Sequence, residues 1–462
     1  MSGNTSRPSD TSLDGIPAPR RYWAAMTLLV SIGLTVLDAS MSNVALPTIA
    51  LEMGVSASSV VWVLNAFSLT LLVLLLPMSS IGERIGYKRL LKYGLTLFVL
   101  AAVGSALSQT LPVLILFRVL QGVGAAAVMC LFGALVRQIY PINMMAKGIG
   151  INAMMVGLTS ALGPTLGALI LSVTSWHWIF AFNLPLSLLA FYGLKYLPDH
   201  VPTQHKFDWI AAVLTIIAIG LLVIGINDLV VHPTESLLAI LIGLSTGVVL
   251  IRRSIAQTAP LVPVDLFRIS SIRFAVAASA CTFAAQMSTF VALPFYFQQT
   301  MGRSLISVGF LMMGWPAGAA IMAGLAGFFT DRYPVSVLCG LGALTMGLGV
   351  GFVVFAPSSL SDVWFLLALF CSGCGFGFFQ TPNNRVLIVA APRHRAAALG
   401  GLQATTRVLG QTFGAAVVAS MFSLSKSTGS LLGLVVGLAF ASLAVLINVV
   451  RYLQGPQESG QA

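Results

Sequence analysis

The chain has 462 residues, of which 57% are hydrophobic and only 8% charged, with a formal net charge of +11. A soluble domain carries roughly 25% charged residues, so this composition excludes a water-soluble protein of this size and points to lipid as the solvent. The basic excess does not read as a nucleic-acid footprint, because Lys and Arg stand in short loops between apolar runs, as the positive-inside rule requires.

The first 21 residues are polar and rich in Ser and Pro. They lack the basic, apolar, small-residue order of a cleaved signal and are expected to form a disordered cytoplasmic tail. Apolar runs long enough to cross a bilayer then predict six spans at 22–45, 58–80, 90–108, 111–136, 148–172 and 178–197. After the polar stretch PDHVPTQHKFD come two more, at 209–230 and 236–251. A second linker leads to six further spans at 274–298, 305–329, 335–356, 363–388, 397–422 and 429–452. The expected class is therefore an all-α membrane protein of 14 transmembrane helices. Its segments are a six-helix bundle over 22–197, two inserted helices with their linkers over 198–271, a second six-helix bundle over 272–452, and a tail over 453–462.

An even span count puts both termini on one side. With cytoplasmic termini, all but four of the 24 Lys and Arg fall on the inner side or in the tails: Arg303 and Lys426 lie outside, Arg118 and Arg407 within spans. That asymmetry sets the orientation and supports the span count, because one miscounted helix would scramble it. The chain also repeats itself. VALP occurs at Val44–Pro47 and Val291–Pro294, an acid–Arg pair at Glu83–Arg84 and Asp331–Arg332, and LGPTLGA at Leu162–Ala168 is echoed by LGQTFGA at Leu409–Ala415. The offsets are 247, 248 and 247 residues, which indicates duplication of a six-span unit in one orientation. Parallel repeats of this kind mark one large class of transporters.

Four motifs carry chemistry. Span 1 ends LDASMSNVALP, and Asp38 is the only acid placed inside a span; an intramembrane carboxylate is costly and is a functional candidate by default. The loop after span 2, SSIGERIGYKRLLK, sets Glu83, Arg84, Gly86 and Lys88 where a helix meets the cytoplasm, with a weaker second copy at Asp331 and Arg332. Span 4 contains RVLQGVGAAA with Arg118 and Gln121, and span 5 contains Gly150, Gly163, Pro164 and Gly167. Next comes SWHWIFAFNLP, whose Trp176 and Trp178 suit an interfacial belt. Span 1 runs outward and span 4 inward. At 1.5 Å per residue, Asp38 and Arg118 both sit roughly 10 Å below the outer surface, within reach of an interaction. Burial disfavours a charged carboxyl there and an arginine favours it, so its proton can follow occupancy of the site.

From about residue 22 to 422 these motifs, in this order, resemble the major facilitator superfamily and, within it, the fourteen-span drug/proton antiporter family. Glu83 replaces the usual Asp of the loop motif, Ser79 its usual first Gly, and Thr159 and Ala168 replace expected glycines of span 5. The resemblance implies alternating access between two rocking bundles. Asp38 and Arg118 then serve proton coupling, the loop residues a gating latch, and the span 5 glycines the antiporter motif of exporters. Inward proton flow would drive export of lipophilic or amphipathic small molecules across the inner (plasma) membrane, by a multi-pass monomer whose partners are lipid, protons and substrate. A dedicated exporter of one metabolite and an uptake symporter or facilitator remain alternatives.

Candidate cavity residues are Trp62, Asn65, Gln121, Met154 and Gln286, with Tyr296, Gln298, Trp315 and Arg407; aromatic and Met surfaces suit varied lipophilic ligands. One intramembrane acid against two arginines points to neutral, weakly cationic or anionic cargo rather than dications. No GxxxxGK[ST] loop, Ser/His/Asp set or metal constellation occurs, so an enzyme is not expected and no cofactor beyond the proton gradient is. Cys371 and Cys374 form a CxxC inside CSGCGFGFF, read as small-residue helix packing rather than a metal site.

Overall fold

The computed structural model describes residues 15–141, 144–198, 208–255, 264–330, 332–390, 396–425 and 427–454. Asp331 therefore lies outside the described residues, as do the side chains of Gly150 and Met154. Regular structure among the described residues is entirely helical, with 14 helical stretches long and apolar enough to cross a membrane.

In the first half, α1 (Arg20–Met53) is followed by α2 (Ala57–Val60) and α3 (Trp62–Ile85), which together make the second span. Then come α4 (Tyr87–Ala106), α5 (Leu111–Met129) with α6 (Phe132–Ile139), α7 (Met145–Val173), and α8 (His177–Ala181) with α9 (Asn183–Gly193). The inserted pair is α10 (Trp209–Asn227) and α11 (Pro233–Ile255). The second half comprises α12 (Ser270–Phe295), α13 (Leu305–Thr330), α14 (Val335–Phe355), α15 (Asp362–Ala390), α16 (Ala396–Leu424) and α17 (Gly429–Leu453). The 6 + 2 + 6 organisation matches the sequence reading. The first span does not end at residue 45, however: α1 continues through Pro47 to Met53, where Gly54 caps it in a left-handed conformation. Hydropathy falls at the proline and at Glu52, but neighbouring helices support a proline within a membrane helix.

The duplication is visible in packing as well as in sequence. Gly124 of α5 admits the backbone of α4 at Gly94 and Phe98, and Gly375 of α15 admits that of α14 at Gly342 and Met346. Gly373 and Gly377, beside the two cysteines of the CxxC, face the backbone of α13 at Trp315 and Ala319. The glycine-rich run thus brings α15 against α13 and α14 at once, as small-residue interfaces allow.

The near face of the molecule carries Arg20 and Leu453; the far face lies opposite. Among the described residues the halves meet where α1 packs on α12, α2 and α3 on α16, and α7 on α13. Their polar links lie toward the far face. The Asn43 amide donates to the Phe290 carbonyl at 2.9 Å, and the Thr165 hydroxyl to the Gly309 carbonyl at 3.3 Å. Residue 294 is a proline without an N–H, so Phe290 has no helical donor four residues on and its carbonyl is free for Asn43. The insert sits at the edge of this seam. α10 packs on α3 and α16, one helix from each half. α11 covers α10 and exposes a row of large apolar side chains, including Leu237, Leu241, Leu244 and Val248.

Candidate functional site: a buried carboxylate cluster

Asp38 is fully buried near the middle of α1. Its Oδ2 accepts from Arg118 Nη1 at 2.5 Å, while its Oδ1 accepts from Gln121 Nε2 at 2.9 Å and from Asn183 Nδ2 at 2.5 Å. All three donors are fully buried too. The sequence placed Asp38 and Arg118 at one depth below the outer surface; they meet even though α1 projects farther than hydropathy suggested.

Arg118 and Gln121 are three residues apart on α5 and so share a face; Arg118 Nη1 also donates to Gln121 Oε1 at 2.7 Å. Arg118 Nε donates to the Val63 carbonyl of α3 at 3.0 Å. The guanidinium lies over the ring of Phe67 (4.4 Å to the centroid) and beside that of Phe180 (5.5 Å). Stacking on aromatic faces suits a weakly hydrated, planar cation. A buried ion pair loses several kcal/mol per ion in hydration, which its mutual attraction offsets only when the remaining lone pairs and protons are satisfied. Here two amides complete the carboxylate. Arg118 Nη2 and Asn183 Oδ1 stay buried without a partner, so the cluster keeps unused donor and acceptor capacity beside the carboxylate.

Asn183 and Phe180 fall within SWHWIFAFNLP, to which sequence reasoning assigns no chemical role. The break between α8 and α9 puts Asn183 at the first position of α9 with its side chain toward α1. Trp178 is exposed, as a belt residue would be, but Trp176 is buried. Trp176 stacks on His177 and meets Phe180 edge-on, supporting the ring beside Arg118 instead of marking a membrane interface.

The span 5 motif lies against the same helix. A side chain at Gly163 would collide with Ser40, and one at Gly167 would press on Met41. Where expected glycines are missing, the partner helix supplies one. Thr159 faces Gly33 of α1, and Ala168 faces Gly309 of α13. α7 is thus wedged between the helix bearing Asp38 and the opposite half. In the loop between α3 and α4, Gly86 adopts φ 95°, which L side chains rarely take. Glu83, Arg84 and Lys88 around it all engage neighbours, and Arg332 of the second copy is exposed.

The remaining expected cavity residues separate. Gln121 belongs to the carboxylate cluster. Asn65 is buried and bonded to Asn227. Trp315 is buried against Phe290 and Phe376, with its indole N–H unpartnered. Tyr296 is buried beside Phe297, Gln298 immediately after them is half-buried, and Trp62 is half-buried at the start of α3. Gln286 accepts weakly from Gln411 at 3.4 Å, and half-buried Arg407 lies one turn before Gln411 on α16.

The Major Facilitator Superfamily profile matches residues 28–415. The chain belongs to that superfamily. Among curated relatives, the Escherichia coli K12 transporter YebQ, itself described as uncharacterized, is 38% identical over 96% of this chain and 98% of its own length. The riboflavin transporter RibZ of Clostridioides difficile is 27% identical over 88% of this chain and 89% of its own. The multidrug resistance protein Stp of Mycobacterium tuberculosis is 29% identical over 84% and 73%. Among solved structures, a peptide transporter of the POT type superposes with a TM-score of 0.70 at 15% identity, covering 94% of each chain. The chain is thus a multi-pass membrane transporter and not an enzyme.

Proposed function

We propose that this transporter is a proton-coupled antiporter that exports lipophilic or amphipathic small molecules across the inner membrane by alternating access, with both termini cytoplasmic. The observation that carries the reading is Asp38: a carboxylate with no exposure, held by three donors from two helices, in a helix that also takes part in the seam between halves. Protonation removes its negative charge, weakens its hold on Arg118 and frees α1 to shift against α5 and α9. Because α7 is locked to α1 at Gly163 and to α13 at Gly309, movement of α1 is passed to the opposite half. The polar links between halves toward the far face fit a state open toward the near face, where cytoplasmic cargo would enter.

The test uses purified protein in liposomes with a pH difference across the membrane and a lipophilic dye as cargo. Asp38→Asn is expected to abolish gradient-driven export while leaving dye binding intact. Normal export by that variant would remove Asp38 from the mechanism.

A second reading, a carrier dedicated to one metabolite, is favoured by the likeness to the riboflavin transporter over most of both chains. A transport panel containing riboflavin beside unrelated dyes and biocides separates the two, because a dedicated carrier would move one compound and ignore the rest.

A further inference from the structure

The inserted pair α10–α11 meets both halves of the molecule at a buried polar junction. Asn227, the last residue of α10, is 4% exposed. Its side chain is used at both ends: Oδ1 accepts from Asn65 of α3 at 3.0 Å, and Nδ2 donates to Asp228 at 2.7 Å. The main-chain carbonyls of Ile226 and Asn227 belong to the last turn of α10, where no helical donor remains. The two share the single proton of the Ser420 hydroxyl on α16, which lies 2.5 Å from the first carbonyl oxygen and 3.1 Å from the second. Asn65 belongs to the first half and Ser420 to the second, and both are buried. The end of α10 therefore bonds to both halves at the far face.

We propose that Asn227 is a positioning residue that makes the insert a latch between the halves, holding the far face closed. Rocking that opens the far face separates α3 from α16. A single helix end cannot follow both, so at least one side of the junction must break. Breaking it leaves buried amide or carbonyl groups unpaired, which biases the equilibrium toward the far-face-closed state. The inserted pair then sets how readily the far face opens, a role separate from the carboxylate that senses the proton. The inference rests on the alternating-access reading, but its test needs neither cargo nor a pH gradient.

Spin labels at Leu107→Cys and Phe355→Cys report the separation of the halves. Leu107 directly follows α4 and Phe355 ends α14, both at the far face, and both are exposed. The background replaces the five native cysteines with alanine. In detergent, Asn227→Ala and Ser420→Ala are each expected to lower the ratio of short- to long-distance populations by about fivefold, the effect of one lost buried hydrogen bond. Asn448→Ala is the control. It removes an equally buried amide that bonds to Ala444 within its own helix α17, and it is expected to leave the ratio unchanged. If Asn227→Ala fails to fold, Ser420→Ala, which deletes only a hydroxyl, carries the test. Unchanged distances in the junction variants, or an equal shift in Asn448→Ala, would overturn the proposal. The junction variants are compared at one pH with Asp38 intact, so failure of the Asp38 reading leaves this comparison standing and the two readings fail separately.

Discussion

Asn43 and Phe290 occupy equivalent positions in the two repeats, 247 residues apart, and the side-chain amide of the first is bonded to the main-chain carbonyl of the second. Each stands four residues before the proline of a VALP copy. The duplicated proline thus leaves a free carbonyl in each half, and an asparagine in the first half takes the one in the second. Pro294→Ala restores an N–H at that point, letting Phe290 bond within its own helix and compete with Asn43. The expected result is a seam weakened several-fold, read as a longer separation between far-face spin labels; an unchanged separation would show that the Asn43 bond holds nothing.

Close contact between α7 and α13 rests on Gly309 meeting Ala168. Gly309→Ala places two methyl groups where one fits, since a Cβ there would lie 2.5 Å from that of Ala168. Overpacking of this kind costs about 1–3 kcal/mol. Thermal unfolding of Gly309→Ala in detergent is expected to fall accordingly, and adding Ala168→Gly should recover most of the loss. Gly157→Ala meets nothing within 4 Å and serves as the neutral comparison.

The Asp38 cluster makes a prediction about pairs. Arg118→Met leaves a buried carboxylate without its counter-ion, a loss of about 3–5 kcal/mol. Protein yield and unfolding temperature should drop together. Adding Asp38→Asn to that variant is expected to restore stability but not transport, which a double-mutant cycle on unfolding and dye export would measure. Asn183→Ala removes one charge-assisted bond, worth about 1.5–3 kcal/mol, and should reduce export while the protein still accumulates.

Cargo charge is open to direct test. Only one acid was placed within a span, and it is fully engaged by Arg118, Gln121 and Asn183. Efflux-deficient cells expressing the protein should tolerate neutral, anionic or singly cationic amphiphiles better than dications of similar size. A growth advantage confined to dications would contradict this.

Span number, the duplicated halves and the two candidate ionic residues were legible because lipid imposes simple rules: apolar length, basic inner loops, and few charges in between. What escaped the sequence were contacts made across long stretches of chain by neutral polar residues. Asn183 lies 145 residues from Asp38 and Asn227 lies 162 from Asn65. Each reads locally as one amide at the edge of an apolar run. The available signal was energetic: an amide buried in a membrane needs a partner, so each such residue asks what it bonds to. The end of α1 was misplaced for the opposite reason. A proline that would stop a helix in water is carried through when neighbours pack around it.

The two copies of the ancestral unit have parted ways at the carboxylate. Ala285 stands at the place of Asp38 by the VALP register, and Leu369 at that of Arg118 by the glycines that seat α5 and α15 on their neighbours. Both are buried and neither can ionise. On the proposed mechanism the ionisable pair belongs to the first half alone, and the second half is the body against which it works. A chain assembled from two second halves would inherit the scaffold without that carboxylate or its counter-ion.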